Sequence, residues 1–370
     1  MAMTTKVTIL DGGLGTALEH ELGTDVSESP LWSTRAVINS DQTIVNAHRL
    51  FIRAGAKIIE TATYQASVPN LVAAGLSLND AKETKHKAVK LVQQAKALYP
   101  ETSGSVRIAL SLGPFGATLR PTQEFLGYYP PPYGPKAFSE LGPNTRSFSN
   151  PEEEQEAINA LAMFHLDRLL AYHSDPATWN SIDYIAFETV LLKREVKSIR
   201  RAILLLSEYL AQTGESLPFS KPWWISFVCP DEASSLENLA LEAVDSGSEK
   251  LPVPSGIGIN CTSLERLPSL IADLTRTIPR VVSSSMSLVL YPNGGEYDTA
   301  NQSWAPRNDG DIGRWASKFA DLLHTVVRDG HWKNVIAGGC CRTNYLHIEG
   351  LNQATKNLQQ SASLDTTRRI

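Results

Sequence analysis

The sequence predicts an α/β fold, a single (β/α)8 barrel over residues 1–370, on three observations. Eight short runs rich in β-branched and other apolar residues recur along the chain. Each is followed by a segment with helical spacing of apolar residues, and no dinucleotide-type glycine fingerprint follows the first run. Strict alternation of strand and helix calls for a parallel sheet covered by helices, and eight repeats favour closure over an open sheet.

Taken in order, the first strand covers 7–11 and ends in Asp11, followed by Gly12, Gly13 and Gly15 of Asp-Gly-Gly-Leu-Gly-Thr. That spacing is not G-x-G-x-x-G, so a doubly wound nucleotide fold loses its main support. Helix 41–54 follows, then strand 57–63 and helix 79–98, strand 107–112 and helix 151–173. Between that third strand and its helix lies the irregular stretch 114–150, rich in aromatic residues and glycine and carrying Pro130-Pro131-Pro132. On a barrel this insertion sits on the catalytic face and reads as a lid, with surface padding as the alternative. The remaining strands are 184–188, 223–229, 256–260, 286–291 and 334–337, with helices 193–212, 234–244, 263–277, 312–328 and 345–359. Asp41, Asn79 and Ser263 stand where N-caps belong. The polar stretch 245–254 reads as a solvent loop.

Composition excludes several classes of function. With 42% hydrophobic and 20% charged residues and a net charge of −5, the chain has no basic footprint for nucleic acid or an anionic membrane. No apolar run reaches the roughly 18 residues a membrane span needs, and the N-terminus lacks the long apolar region of a signal peptide. The expected location is the cytosol, and nothing in the chain implies a protein partner. Its cysteines are Cys229, Cys261, Cys340 and Cys341, too sparse for a disulfide framework, and the adjacent pair is poorly placed to bridge itself.

In a barrel of this type the active site lies at the C-terminal ends of the strands. Those ends supply Asp11, Thr61 with Tyr64, Gly113, Glu188, Cys229, Cys261, Tyr291 with Asn293, and Cys340 with Cys341. All the cysteines therefore fall on one face. Thiolates gathered in a cytosolic enzyme point to a soft metal, and Zn²⁺ accepts them tetrahedrally, with three protein ligands leaving one position for substrate. Consecutive strand residues face opposite ways, so Cys340 and Cys341 reach one ion only if the chain has left the strand conformation. Gly338 and Gly339 offer the backbone freedom to do so, with Cys261 as the third ligand. The histidines form no metal pattern, and no nucleophile elbow or P-loop is present.

Longer motifs accompany these residues: Leu10-Asp11-Gly12-Gly13-Leu14-Gly15-Thr16, Glu60-Thr61-Ala62-Thr63-Tyr64-Gln65-Ala66, and Ser111-Leu112-Gly113-Pro114-Phe115-Gly116. Phe187-Glu188-Thr189, Gly258-Ile259-Asn260-Cys261, Tyr291-Pro292-Asn293-Gly294-Gly295-Glu296 and Gly338-Gly339-Cys340-Cys341-Arg342-Thr343 follow in barrel order. In these motifs the sequence resembles the zinc-dependent homocysteine S-methyltransferases, S-methylmethionine-dependent enzymes among them and betaine–homocysteine methyltransferase more distantly. The resemblance implies Zn²⁺ on Cys261, Cys340 and Cys341, the homocysteine ammonium on Asp11 and Glu188, and no ligand role for Cys229. It implies methyl transfer from a sulfonium donor, S-methylmethionine before S-adenosylmethionine, to homocysteine thiolate, giving methionine. Around that chemistry, backbone amides of the Gly12–Gly15 turn, Gly12 and Gly13 among them, are expected to receive the substrate carboxylate. Asn260 and Tyr64 are expected to line the substrate, and Tyr64, Phe115, Tyr128 and Tyr129 to offer aromatic faces to a cationic donor. Two rival expectations remain: a zinc- or thiol-binding barrel without methyl transfer, and a methyltransferase for another acceptor such as selenocysteine.

Overall fold

The computed structural model describes residues 5–24, 31, 33–213, 219–231, 235–245, 247, 250–295, 297–298, 303–304 and 311–367. Expectations that fall on 1–4, 234, 246, 248–249, 368–370 and Glu296 lie outside the described residues.

The strands are β1 (Lys6–Ile9), β2 (Ile58–Glu60), β3 (Arg107–Leu112), β4 (Tyr184–Val190), β5 (Trp223–Phe227), β6 (Gly256–Ser263), β7 (Ser287–Asn293) and β8 (Asn334–Ala337). They form one parallel sheet in the order β1-β8-β7-β6-β5-β4-β3-β2. The two ends meet: Leu10 bridges Ile58, Lys57 N donates to Ile9 O at 2.7 Å, and Asp11 N donates to Ile58 O at 3.1 Å. The sheet is thus a TIM-type barrel, as the alternating pattern requires.

Side-chain alternation divides the core into two layers. Leu10, Ile58, Ala109, Ala186, Trp224, Val289, Tyr291 and Ile336 fill the barrel interior. Their neighbours along the strands, such as Ile59, Ile108, Phe187, Ile225 and Val335, pack outward against the helices. Gly258 admits no side chain, because a Cβ there would run into the backbone of Val289.

The helices are α1 (Asp41–Ala54), α2 (Leu78–Ala97), α3 (Pro151–His173), α4 (Lys193–Gln212), α5 (Glu237–Val244), α6 (Leu267–Thr277), α7 (Asp311–Asp329) and α8 (Tyr345–Thr367). In α1, Ile44, Ala47, His48 and Phe51 recur at helical spacing and are buried, and Gly55 at φ 105° ends the helix in the left-handed conformation. α3 starts on Asn150, whose side chain accepts from Glu152 N, with Pro151 in the first turn. Of the expected caps only Ser263 bonds as one. Asp41 and Asn79 lie inside their helices, and Ser77 caps α2.

Several short helices were not expected, among them Thr34–Asn39, Val68–Ala73 and Pro176–Ser181, as was a small antiparallel pair, Tyr297–Asp298 with Ser303–Trp304. Each is too short for periodicity to register. Among the described residues, no helix is long and apolar enough to cross a membrane.

The insertion is fastened at its base. Glu195, in the first turn of α4 and fully buried, accepts from Phe115 N at 2.6 Å, from His165 Nε2 at 3.2 Å and from Tyr129 Oη at 2.7 Å. Burial alone would raise its pKa, but the His165, Phe115 and Tyr129 bonds outweigh that and hold the carboxyl below its ordinary pKa.

Candidate active site and metal centre

The C-terminal mouth of the barrel opens into a cavity of about 670 Å³ lined by Asp11, Glu60, Tyr64, Glu188, Cys261, Cys340 and Cys341, among others. Two clusters share it, one of sulfur and one of carboxyl groups.

The sulfur cluster depends on two local departures from regular strand. β6 slips register between Asn260 and Ser263, and Cys261 takes φ 46° at that bulge. A bulge redirects a side chain, here inward. β8 has ended at Ala337, so Cys340 and Cys341 lie in a turn closed by Thr343 N donating to Cys340 O at 3.1 Å, with Arg342 at φ 64°. The positive φ is thus carried by Cys261 and Arg342. Gly338 and Gly339 serve a different need from the expected freedom, since side chains there would collide with Asp11 O and Thr343 respectively. Neighbouring loops pin the turn: Gly339 N donates to Asp11 O and Cys340 N to Pro292 O, both at 2.9 Å, and Thr343 Oγ1 donates to Cys340 O at 2.6 Å.

The three Sγ atoms lie within 4.8 Å of one another, with Cys261 and Cys341 at 4.0 Å. Ligands at 2.3 Å from a tetrahedral Zn²⁺ stand about 3.8 Å apart, so this pair already has the spacing an ion requires. Cys261 and Cys340 are in direct S–S contact as a disulfide, their Cα atoms 5.5 Å apart. Sparse cysteines gave no sign of this pair, because barrel closure joins residues separated by 79 positions. The bond and an ion exclude each other, as metal binding takes reduced, deprotonated sulfur. The donor set fits a soft dication. Burial, then Glu124, pushes the Cys341 thiol up to about 12, so a thiolate there calls for a compensating cation. Cys229 is also raised to about 12 by burial; its backbone bonds Thr262 Oγ1 and Arg266, and it is absent from the cluster.

The carboxyl cluster joins Asp11 and Glu188 with Glu60, which sequence reasoning missed. Glu60 follows interior-facing Ile58 by two residues, so strand parity aims it at the barrel axis. Asp11 Oδ2 accepts from Glu60 N at 3.0 Å, while Asp11 Oδ1 and Glu60 Oε1 are buried without a hydrogen-bond partner. Glu188 accepts from Ser111 Oγ, itself placed by Thr61 and Thr63 through Ser111 N to Thr61 Oγ1 at 3.1 Å and Thr63 Oγ1 to Ser111 O at 2.7 Å. Burial raises all three: Glu188 reaches about 7 despite the Ser111 hydrogen bond and the Arg168 charge, and Asp11 and Glu60, which Glu188 also repels, lie well above the carboxylate range. Buried carboxyls with unpaired acceptors suit a cationic guest.

Other expected residues have different work. Asn260 Oδ1 accepts from Thr189 N and its Nδ2 donates to Thr189 Oγ1, both at 2.8 Å. Its amide is therefore engaged in holding Thr189, at φ 62°, beside Glu188. Gly13 N donates to Thr343 Oγ1 at 2.9 Å, so this amide is taken and the turn offers fewer than expected. Tyr64 lines the cavity, and its carbonyl accepts from Arg168 Nη2 at 3.0 Å. Phe115 and Tyr129 pack against each other, centroids 5.2 Å apart, and Tyr128 stacks on Phe138; none of these three lines the cavity. The insertion instead contributes Thr122, Glu124 and Phe125.

Fold and site together define a TIM-type barrel whose C-terminal mouth gathers three cysteine sulfurs beside a cluster of buried carboxyls. Residues 8–355 match the family described as homocysteine S-methyltransferase. Homocysteine S-methyltransferase 1 of Arabidopsis thaliana is 27% identical over 94% of this chain and 93% of its own. Selenocysteine Se-methyltransferase of Brassica oleracea var. italica is 27% identical over 93% of this chain and 88% of its own. The metallated form of the homocysteine methyltransferase MmuM from Escherichia coli superposes with a TM-score of 0.65 at 24% identity, covering 94% of this chain and 96% of that one. The chain belongs to the homocysteine S-methyltransferase family.

Proposed function

We propose that the protein transfers a methyl group from a sulfonium donor, S-methylmethionine first, to the sulfur of homocysteine, with Zn²⁺ on Cys261, Cys340 and Cys341. The observation that carries this reading is the meeting of three cysteine sulfurs and a nest of buried carboxyls in one cavity. When bound, Zn²⁺ supplies a Lewis acid that holds the incoming thiol as thiolate at neutral pH. Unaided, a thiol of pKa near 8.5 is only a few per cent ionised at pH 7.

Asp11, Glu60 and Glu188 take the ammonium of homocysteine, two of whose three N–H donors match the unpaired Asp11 Oδ1 and Glu60 Oε1. Asn260 positions Glu188 through Thr189. The three cysteine thiolates keep the centre anionic, which favours a cationic donor. The acceptor sulfur attacks the methyl carbon in line, the donor's C–S⁺ bond breaks, and the donor leaves as a neutral thioether. No general base is needed at that step, and positioning with electrostatics carries the rate. The insertion 114–150 acts as a lid. Selenocysteine is a second acceptor worth testing, in view of the relative named for it.

These readings are tested by methionine formation from homocysteine with S-methylmethionine, S-adenosylmethionine and betaine in turn. Turnover with a sulfonium supports them. Tight zinc without turnover on any donor would leave a metal-binding barrel.

A further inference from the structure

We infer that Glu124, carried by the insertion, is the counter-charge that binds the cationic methyl donor. The inference rests on the methyltransferase reading above and assigns the donor's side of the cavity, as the carboxyl cluster on the barrel floor was assigned to the acceptor.

Glu124 is 8% exposed and lines the same cavity as the three cysteines, yet it comes from the insertion between β3 and α3 and not from a strand end. Its Oε2 is buried without a hydrogen-bond partner. The carboxyl's surroundings are short of compensating charge. Burial raises its pKa, and neither the Thr122 side-chain hydrogen bond nor the Arg120 charge overcomes that. Glu124 shares the lining of the cavity with Tyr64 and with the three cysteines. Tyr64 and Phe125 add aromatic surface to that wall, which a sulfonium or ammonium favours.

The position of Glu124 is built in and rigid. Gln123 N donates to Gly116 O at 2.8 Å, and Gly127 N donates to Gln123 O at 2.6 Å, closing the turn that carries it. Gly116 lies so close that a Cβ would strike Gln123 and the Glu124 amide. One residue earlier, Phe115 N is fixed on Glu195. A buried carboxylate held this way, with a free oxygen, attracts a guest of opposite charge.

The chemistry also sets the kinetic signature. The donor arrives as a cation and leaves as a neutral thioether, so its charge is fullest in the ground state and partly dispersed in the transition state. Glu124 therefore binds donor more strongly than it binds the transition state, and its loss moves KM for donor rather than kcat.

The test is Glu124→Gln, assayed with homocysteine and S-methylmethionine varied separately, and with S-methylmethionine binding followed by calorimetry on the zinc-loaded protein. The expected result is an S-methylmethionine KM and Kd raised roughly 10- to 100-fold. Homocysteine KM should stay within about twofold and kcat should not fall. Glu124→Asp keeps the charge and is expected to recover part of the affinity, which guards against misfolding as the cause. An unchanged donor KM, or a homocysteine KM that moves as far as the donor's, overturns the inference. Wild-type protein that forms no methionine from any sulfonium would instead overturn the methyltransferase reading, and the binding measurement separates the two.

Discussion

Replacing Glu188 by Gln should make the protein more stable and worse at holding homocysteine. Glu188 is 5% exposed and its pKa is raised from 4.5 to about 7, chiefly by burial. Below pH 4.5 the carboxyl is protonated whether the chain is folded or not, so it costs nothing. Between 4.5 and 7 the folded protein keeps a proton that the unfolded chain releases, and stability falls as pH rises. Above 7 the cost is complete, about 3 kcal/mol for a shift of this size. Gln keeps the volume and can still accept from Ser111 Oγ, but it never ionises.

Unfolding entropy of ~2.1 cal/mol/K per residue gives roughly 0.8 kcal/mol/K for a chain of this length. Glu188→Gln should then raise Tm by about 4 °C at pH 8 and by little at pH 4.5, measured by scanning calorimetry on substrate-free protein. In the same variant, one charge-assisted bond of ~1.5–3 kcal/mol to the substrate ammonium is lost. KM for homocysteine should rise ~10- to 100-fold, with donor KM unmoved. A variant less stable at pH 8 than the wild type, or one with an unchanged homocysteine KM, would refute the assignment of Glu188 as a strained recognition carboxylate.

Three further outcomes follow from the geometry. Gly13→Ala should lower metal occupancy and cut activity at least ~10-fold while the fold survives, since a Cβ there collides with the carbonyl of Cys340; metal analysis beside circular dichroism checks it. Cys229→Ser should retain full metal stoichiometry and near-normal turnover, because Cys229 stands outside the three-sulfur cluster; a halved metal content would bring it back as a ligand. Glu195→Ala should destabilise by about 3–5 kcal/mol and expose 114–150 to limited proteolysis, as Phe115 N, Tyr129 Oη and His165 Nε2 all lose their acceptor.

Barrel and thiol cluster were legible in the sequence because both rest on local signals. β-Branched runs such as 107–112 and 334–337 coincide with β3 and β8; Cys340 and Cys341 follow the end of β8, and Cys261 lies near the end of β6. What stayed hidden depends on partners distant in the chain. Asn260 stands beside Cys261 in a motif, yet only the pairing of β4, β5 and β6 shows its amide fixed on Thr189, 71 residues away. Glu60 sat inside an apolar run whose true strand ends at that residue, so its inward direction needed the observed register. Glu124 lies in an insertion without periodicity, where no pattern says which side chain turns inward. Asp41 and Asn79 show the limit of capping signals: the residue type was right, and neighbouring serines took the cap positions.

The central claim, that Cys261, Cys340 and Cys341 hold the metal on which methyl transfer depends, is tested most directly by one paired measurement. Zinc per chain and methionine formation from homocysteine and S-methylmethionine are followed in reduced protein before chelation, after chelation, and after zinc is restored. The expected result is about one zinc per chain, with activity lost on chelation and regained with the metal. Full turnover in metal-free protein, or reduced protein that takes up no zinc, would contradict it.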